Sequence, residues 1–277
     1  MKKLTIGVIT YNNSEEQLAQ LSKSLRLAVE HLTVPNRLVE LLVIDNGAES
    51  HWPEPVCNMT KLPSQGNIGF SKGMNCLMDA AFRDATCDAF LCLNPDGVLH
   101  RMALQAMVET FEREPLSLLE ARQFPEEHPK PYDETTFDTP WASGACLLIP
   151  RVIWQRLGGF DTNLFMYLED VDLSWRARSA GFSVKVVPNA LFGHAVLGRK
   201  PNRDIAKFLL LSGRYLARKW GNEKFLNWAE GELVSQGFFA SRKDIPAVVS
   251  SSDEPSALDF GVADFDNLFY FSIPRWT

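Results

Sequence analysis

Residues 4–46 read LTIGVITYNNSEEQLAQLSKSLRLAVEHLTVPNRLVELLVIDN, and this stretch decides the fold class. Leu4 to Thr10 is an apolar run rich in β-branched residues, the pattern of a buried strand. Tyr11-Asn12-Asn13 breaks it. Ser14 with Gln17 three residues later has the form of a capping box, and Leu18, Leu21, Leu25, Ala28, Val29 and Leu32 then recur at helical spacing until Pro35. Glu40 to Ile44 is a second buried strand, ended by Asp45-Asn46-Gly47. Strand, helix and strand at this spacing form a βαβ unit. The chain is therefore read as α/β, with a parallel sheet covered on both faces. In such sheets the ligand crevice lies beyond the carboxyl ends of the strands, where Tyr11-Asn12 and Asp45-Asn46 both fall. The same residue types are also common turn formers.

Working outward, Val56 to Met59 is read as a short edge strand. The glycine-rich run Gly66 to Asn75 (GNIGFSKGMN) then leads into a helix through Leu77, Met78, Ala81 and Phe82. Glycines ahead of a helix let backbone N–H groups approach an anion, although a tight loop would explain them equally well. Ala89 to Leu93 is an apolar strand that delivers Asn94-Pro95-Asp96-Gly97. An acid there can hold a divalent metal or form an Asx-turn. A helix follows through Met102, Leu104, Met107 and Phe111, then a strand over Leu116 to Ala121. Phe124 to Thr139 is polar and Pro-rich and reads as a loop over one face. Trp141 to Ala145 leads into the strand Cys146 to Ile149, and Pro150 opens a short helix ended by Gly158-Gly159.

The stretch GFDTNLFMYLEDVDLSWRARSAG (159–181) places Glu169, Asp170 and Asp172 in the first turn of a helix stopped by Gly181. A carboxylate fixed there beside an aromatic wall suits a general base; the plain alternative is a capping acid on a surface helix. Phe182 to Val187 is a strand stopped by Pro188, and His194 follows, a lone histidine that is either structural or a ligand. Asp204 to Trp220 is an amphipathic helix with Lys207, Arg214, Arg218 and Lys219 among its residues. It either touches anionic lipid or packs on its own domain. A weaker helix covers about Glu223 to Val234, a Ser/Asp/Glu/Pro linker covers Ser250 to Ser256, and the end, DFDNLFYFSIPRWT, is strongly aromatic.

The whole chain bounds these readings. Its 277 residues, 45% of them hydrophobic, suffice for one sizeable core with an appendage. A net charge of -6 without a long basic run argues against nucleic acid as partner. Five scattered cysteines without a CxxC argue against structural zinc and a disulfide framework. The start reads as a strand rather than a signal peptide, and no apolar stretch approaches membrane-spanning length. A cytoplasmic setting is the resulting expectation.

Thr10-Tyr11-Asn12, Asp45-Asn46, GNIGFSKGMN (66–75), LNPDG (93–97), WASGACLLIPR (141–151) and GGFDTNLFMYLEDVDLSWRARSAGF (158–182) together resemble the family 2 glycosyltransferases. The branch they look most like is the bacterial rhamnosyltransferase-like one, which builds cell-surface polysaccharide. The motifs come in the family's order across residues 4–197. The resemblance implies a GT-A fold, with a mostly parallel central sheet flanked by helices. It divides the chain into a transferase domain (1–200) and a helical extension with an aromatic tail (201–277). It also implies inverting transfer of a sugar, rhamnose among the candidates, from a nucleotide-diphosphate sugar to a saccharide or lipid-linked acceptor, with Mg²⁺ or Mn²⁺.

Carried over residue by residue, Thr10, Tyr11 and Asn12 line the nucleoside pocket and Asp45 contacts the base. Asn67, Gly69, Asn75 and Asn94 lie near the nucleotide and its phosphates. Asp96 is the last acid of the metal motif, whose first acid is missing here, and His194 matches a late histidine near the metal. Trp141, Gly144, Phe165 and Tyr167 border the sugar and acceptor. Asp170 corresponds to the catalytic base, with Glu169 beside it. Two rival readings remain. A sugar nucleotidyltransferase would want a glycine-rich basic loop where Tyr11-Asn12-Asn13-Ser14 stands. A non-catalytic nucleotide-sugar or glycan-binding protein would keep the motifs without turnover. Oligomeric state is open.

Overall fold

The computed structural model describes residues 1–33, 39–53, 56, 58–194, 202–248, 258–266, 268 and 273–274. The first βαβ unit forms as its pattern demands. β1 (Lys3–Thr10) and β2 (Val39–Asp45) pair in parallel from Leu4↔Val39 to Thr10↔Asp45. Between them α1 (Glu15–Glu30) starts on a complete capping box of Ser14 and Gln17. β3 (Asn58–Leu62) adds in parallel on the outer edge of β2, a few residues later than the edge strand expected at Val56 to Met59. α2 (Gly69–Phe82) begins inside the glycine-rich run, so most of the expected loop is already helix. β4 (Cys87–Leu93) pairs in parallel with β1 on its other side.

The second half departs from the parallel plan. After the two-residue β5 (Val98–Leu99), α3 (Ala103–Arg113), β6 (Ser117–Phe124) and the two-residue β7 (Glu126–Glu127), the chain returns as β8 (Cys146–Pro150). β8 inserts antiparallel between β4 and β6. α4 (Arg151–Leu157) and α5 (Glu169–Ser179) follow, then β9 (Ser183–Gly193), which is parallel to β6 and antiparallel to β5. The eight-stranded sheet has the order β3-β2-β1-β4-β8-β6-β9-β5 and is mixed, with parallel pairings at β3-β2-β1-β4 and β6-β9 and antiparallel ones around β8 and at β5. Pro188 does not end β9: the register jumps from Ala121↔Val187 to Arg122↔Leu191, so the strand bulges past the residue that cannot donate and continues to Gly193.

Apolar residues cover both faces of this sheet. Leu4, Ile6, Val8, Leu41 and Val43 pack with residues of α1 and α3 on one side. Ile9, Leu42, Ile44 and Phe90 pack with α2, α4 and α5 on the other. α6 (Arg203–Lys219) and α7 (Glu223–Ser235) form the C-terminal extension. Leu209 and Leu216 of α6 and Trp220 at its end share a third core with Trp141, Leu168, Val171 and Trp175, and the tail folds back to place Phe265 and Leu268 there. Two residues of the tail, β10 (Ile273–Pro274), pair antiparallel with β7. The linker expected at Ser250 to Ser256 lies outside the described residues.

Several basic residues of α6 are engaged by the protein itself, while Arg203 and Arg218 remain exposed. Lys219 pairs with Asp161 and Asp172 at 2.7 and 2.8 Å, Arg214 with Glu230 at 2.8 Å, and Arg203 donates to the Gln236 carbonyl at 3.0 Å. Lys207 lies 5.3 Å from the Phe239 ring centre. These contacts fit the reading in which α6 packs on its own domain. Among the described residues no helix is long and apolar enough to cross a membrane.

Candidate active site

The carboxyl ends of β1, β2 and β4 deliver Thr10, Asp45 and Asn94 to one edge of the sheet. β8 runs the opposite way from β4, with Cys146 opposite Leu93, so the segment before it lies beyond the end of β4. There Asn94 N–H donates to the Ala145 carbonyl at 2.8 Å. Antiparallel insertion thus carries Trp141 to Ala145 to the crevice that parallel strands alone would leave open.

Against this segment stands the start of α5. Tyr167 and Leu168 both have positive φ (71° and 65°), so two consecutive residues with side chains hold a left-handed turn just ahead of the acids. Such strain persists where the surroundings enforce it, and it sits here beside chemistry-bearing groups. Asp170 is half-buried. Its Oδ2 accepts the Gly144 N–H at 2.7 Å and its Oδ1 accepts the Val171 N–H at 2.8 Å. Burial raises its pKa, while the N–H groups of Gly144 and Val171 and the charge of Lys130 work against that rise. Glu169, 6% exposed, is pushed well above the ordinary carboxyl range by burial and by the charge of Asp170, and its Oε2 has no hydrogen-bond partner among the described residues. Asp172 is different in kind: fully buried, it binds Arg176, Lys219 and Trp220.

Asp96 and His194 come together although 98 positions separate them in the chain, because β5 pairs with the end of β9. His194 Nε2 lies 3.3 Å from Asp96 Oδ1. Its Nδ1 lies 3.1 Å from Gln123 Oε1, while Gln123 Nε2 donates to Glu120 at 3.4 Å. With Gln123 oriented by Glu120, Nδ1 of His194 is the donor and Nε2 faces the Asp96 carboxylate. An imidazole nitrogen beside a carboxylate oxygen is a donor set that fits a divalent ion. Among the described residues no group of three or more His, Cys, Asp or Glu side chains gathers to hold a metal, so a bound ion would take its remaining ligands from elsewhere.

The other expected residues divide between crevice and scaffold. Tyr11 is exposed at the end of β1, and Asn12, with φ 54°, turns its Oδ1 to the Ala48 N–H at 3.2 Å. Asp45 is buried, yet hydrogen bonds from Ser50 and Thr10 and the charge of Lys61 hold its pKa below the ordinary value. With Thr10 Oγ1 and Ser50 Oγ both on Oδ1, Asp45 organises the turn. Asn67 Oδ1 accepts the Gly69 N–H at 3.2 Å. Gly69 and Asn75, expected near the nucleotide, also brace the acidic segment. A Cβ on Gly69 would lie 2.4 Å from the Phe165 carbonyl oxygen, and Asn75 exchanges two hydrogen bonds with the Phe160 backbone at 2.8 and 2.9 Å. Phe165 stacks on Phe208 with ring centres 5.3 Å apart, and Tyr167 packs in the third core. Trp141 is buried, with Lys130 Nζ 4.2 Å from its ring centre and His128 in a T-shaped contact with it.

Comparison with known proteins narrows this arrangement. The profile described as "Glycosyltransferase like family 2" matches residues 79–207. An N-acetylglucosaminyl-diphospho-decaprenol L-rhamnosyltransferase of Mycobacterium tuberculosis is 28% identical over 262 residues, covering 73% of this chain and 80% of its own. Rhamnosyltransferase WbbL of Escherichia coli is 35% identical over 94 residues, 32% of this chain and 34% of its own. Among solved structures, GalNAc-T7 with UDP, GalNAc and Mn²⁺ superimposes with a TM-score of 0.64 at 12% identity, over 86% of this chain and 51% of its own. This chain thus spans about half the length of that enzyme. Mannosyltransferase PcManGT of Pyrobaculum calidifontis, with GDP-Man and Mn²⁺, gives 0.56 at 16% identity, over 86% and 76%. The fold is GT-A, and the sequence is family-2-like.

Within this GT-A crevice, sequence reading passed over Glu120, Gln123 and Lys130. An acid inside the apolar run of β6 was the available signal for Glu120, because a buried carboxylate needs a partner. Lys130 had none: it sits in the polar stretch HPKP, and only the folded chain buries it.

Proposed function

We propose that this chain is an inverting glycosyltransferase, moving a sugar from a nucleoside-diphosphate donor to a saccharide or lipid-linked acceptor, with Asp170 as general base. The observation that carries the reading is the clamp on Asp170. Two backbone N–H groups fix its carboxylate at the crevice, while burial raises its pKa toward the range of a working base. An acceptor hydroxyl is a poor nucleophile at neutral pH, so a positioned carboxylate must take its proton as the new bond forms. One base suffices for a single displacement, which inverts the anomeric centre. Glycoside hydrolysis would need two carboxylates flanking the bond, and Asp172 is locked in ion pairs away from that task.

The departing nucleoside diphosphate gathers negative charge. Asp96 and His194 are the residues that would hold Mg²⁺ or Mn²⁺ there, and the ion would offset that charge as a Lewis acid. Exposed Tyr11 at the end of β1 suits the nucleoside. The rhamnosyltransferase likeness favours a deoxysugar such as rhamnose, donated from dTDP, and a role in cell-surface polysaccharide assembly.

The test is to assay Asp170→Asn with dTDP-L-rhamnose and with UDP- and GDP-sugars, following both turnover and donor-induced thermal shift. Transfer should fall by at least about 10²-fold, the scale of general-base catalysis, while the shift produced by donor persists. Unchanged turnover would sink the assignment of the base. Absence of any donor-induced shift in the native protein would favour a reading without nucleotide-sugar chemistry.

A further inference from the structure

A buried ion pair lies between the two ends of the crevice and takes no part in the transfer chemistry above. Glu120 on β6 and Lys130, three residues after β7, are 3% and 2% exposed and in direct ionic contact. Lys130 Nζ also donates to the Trp141 carbonyl at 2.6 Å and lies over the Trp141 ring. The Glu120 carboxylate also accepts the amide of Gln123, whose own oxygen holds His194. One ion pair therefore grips the carbonyl of residue 141, three positions before Gly144, whose N–H binds Asp170.

A buried pair of this kind is poor value as a stability device, because apolar residues of the same volume serve as well or better. Its retention is better explained by what it positions. We infer that Glu120 and Lys130 are positioning residues for Asp170, holding the backbone donor that aims the base and placing a cation behind it. This rests on the reading of Asp170 as the base.

The groups that face Asp170 are Glu169 on its own helix, Lys130 from the segment after β7, Glu120 on β6 and the Cys92 thiol on β4. Of these Lys130 alone is cationic, and it favours the ionised carboxylate. Without it, Asp170 holds its proton to higher pH. The acid limb of kcat/KM, which reports ionisation of the base, then moves up.

The experiment uses the full chain with Lys130→Met and the double variant Glu120→Gln/Lys130→Met, which keeps the volume of the pair without its charge. Two readouts are taken. One is the pH profile of nucleoside diphosphate release from dTDP-L-rhamnose. The other is the ¹³C titration of Asp170 in aspartate-labelled protein, assigned by the signal missing in Asp170→Asn. Lys130→Met should shift the Asp170 titration upward by roughly one pH unit and the double variant, which also removes the opposing Glu120 charge, upward by less, with the acid limb following and nucleotide affinity little changed. A folded variant whose Asp170 titrates as in wild type overturns the inference. Should Lys130→Met not fold, the double variant decides alone. Failure of the base reading is separate: it shows as turnover surviving Asp170→Asn, whatever the carboxyl titration does.

Discussion

Asp172→Ala asks whether acids two positions apart on one helix divide their labour as the geometry says. Asp172 is 0% exposed and binds three groups: Arg176 Nε at 2.6 Å, Lys219 Nζ at 2.8 Å and Trp220 Nε1 at 3.1 Å. Two of these lie on α6 or at its end, so the carboxylate fastens the C-terminal extension to α5. Breaking a buried ion pair from one side costs about 3–5 kcal/mol, chiefly through the uncompensated partner. Here both cations keep some company. Lys219 retains Asp161 at 2.7 Å, and Arg176 retains the carbonyls of Leu157 and Gly159 at 3.0 and 2.7 Å. The loss should therefore sit toward the lower end, about 3–4 kcal/mol, with the Trp220 hydrogen bond included. At roughly 2–4 °C per kcal/mol for a chain of this size, Tm falls by roughly 6–16 °C. Thermal unfolding by circular dichroism reads this directly, and a lower urea midpoint at unchanged slope would place the loss in stability. Asp172→Asn, which keeps the volume and one acceptor oxygen, should fall between. Asp170→Asn should leave Tm nearly unmoved while removing activity. A Tm for Asp172→Ala within about 2 °C of wild type would refute the reasoning, since a buried pair worth so little is outside the range it assumes.

Two further outcomes follow from the same residues. The raised pKa of Glu169 means that the folded chain holds a proton the unfolded chain releases, so its contribution to stability is present below the unfolded carboxyl value of about 4.3 and is lost as pH rises through the folded value. Glu169→Gln should therefore gain stability relative to wild type between about pH 5 and pH 8 in urea titrations; parallel pH curves for the two proteins would count against the buried-proton account. Gly69→Ala meets both a φ of +81° and the Phe165 oxygen 2.4 Å away, and should cost about 2–5 kcal/mol and lower turnover by shifting the turn that presents Asp170. Wild-type stability and activity in that variant would show the turn to be slack.

How much of this was legible beforehand varies with the range of the interaction. The Ser14–Gln17 capping box, the strands at Leu4 to Thr10 and Ala89 to Leu93, and the acidic start of α5 ending at Gly181 all rest on contacts within a few residues. They stand in the fold as read. Pro188 misled because its missing donor was weighed alone, whereas the paired β6 accommodates it by skipping residues in the register. The two hydrogen bonds of Asn75 to the Phe160 backbone were not legible, because they join residues 85 positions apart.

The sequence by itself determined the α/β class, most of the helices with their caps and stops, and the order of motifs. The reason is that hydrophobic period, caps and breakers act through neighbours in the chain. Only the tertiary structure decided that β8 enters antiparallel, that Asp96 and His194 meet, and that Lys130 is buried on Glu120. It also separated Asp170 from Asp172, which look alike as neighbouring acids. One accepts backbone N–H groups at the edge of a crevice; the other is enclosed by two cations and an indole. That difference is one of desolvation and of partners brought from as far as 48 positions away, and no local pattern encodes it.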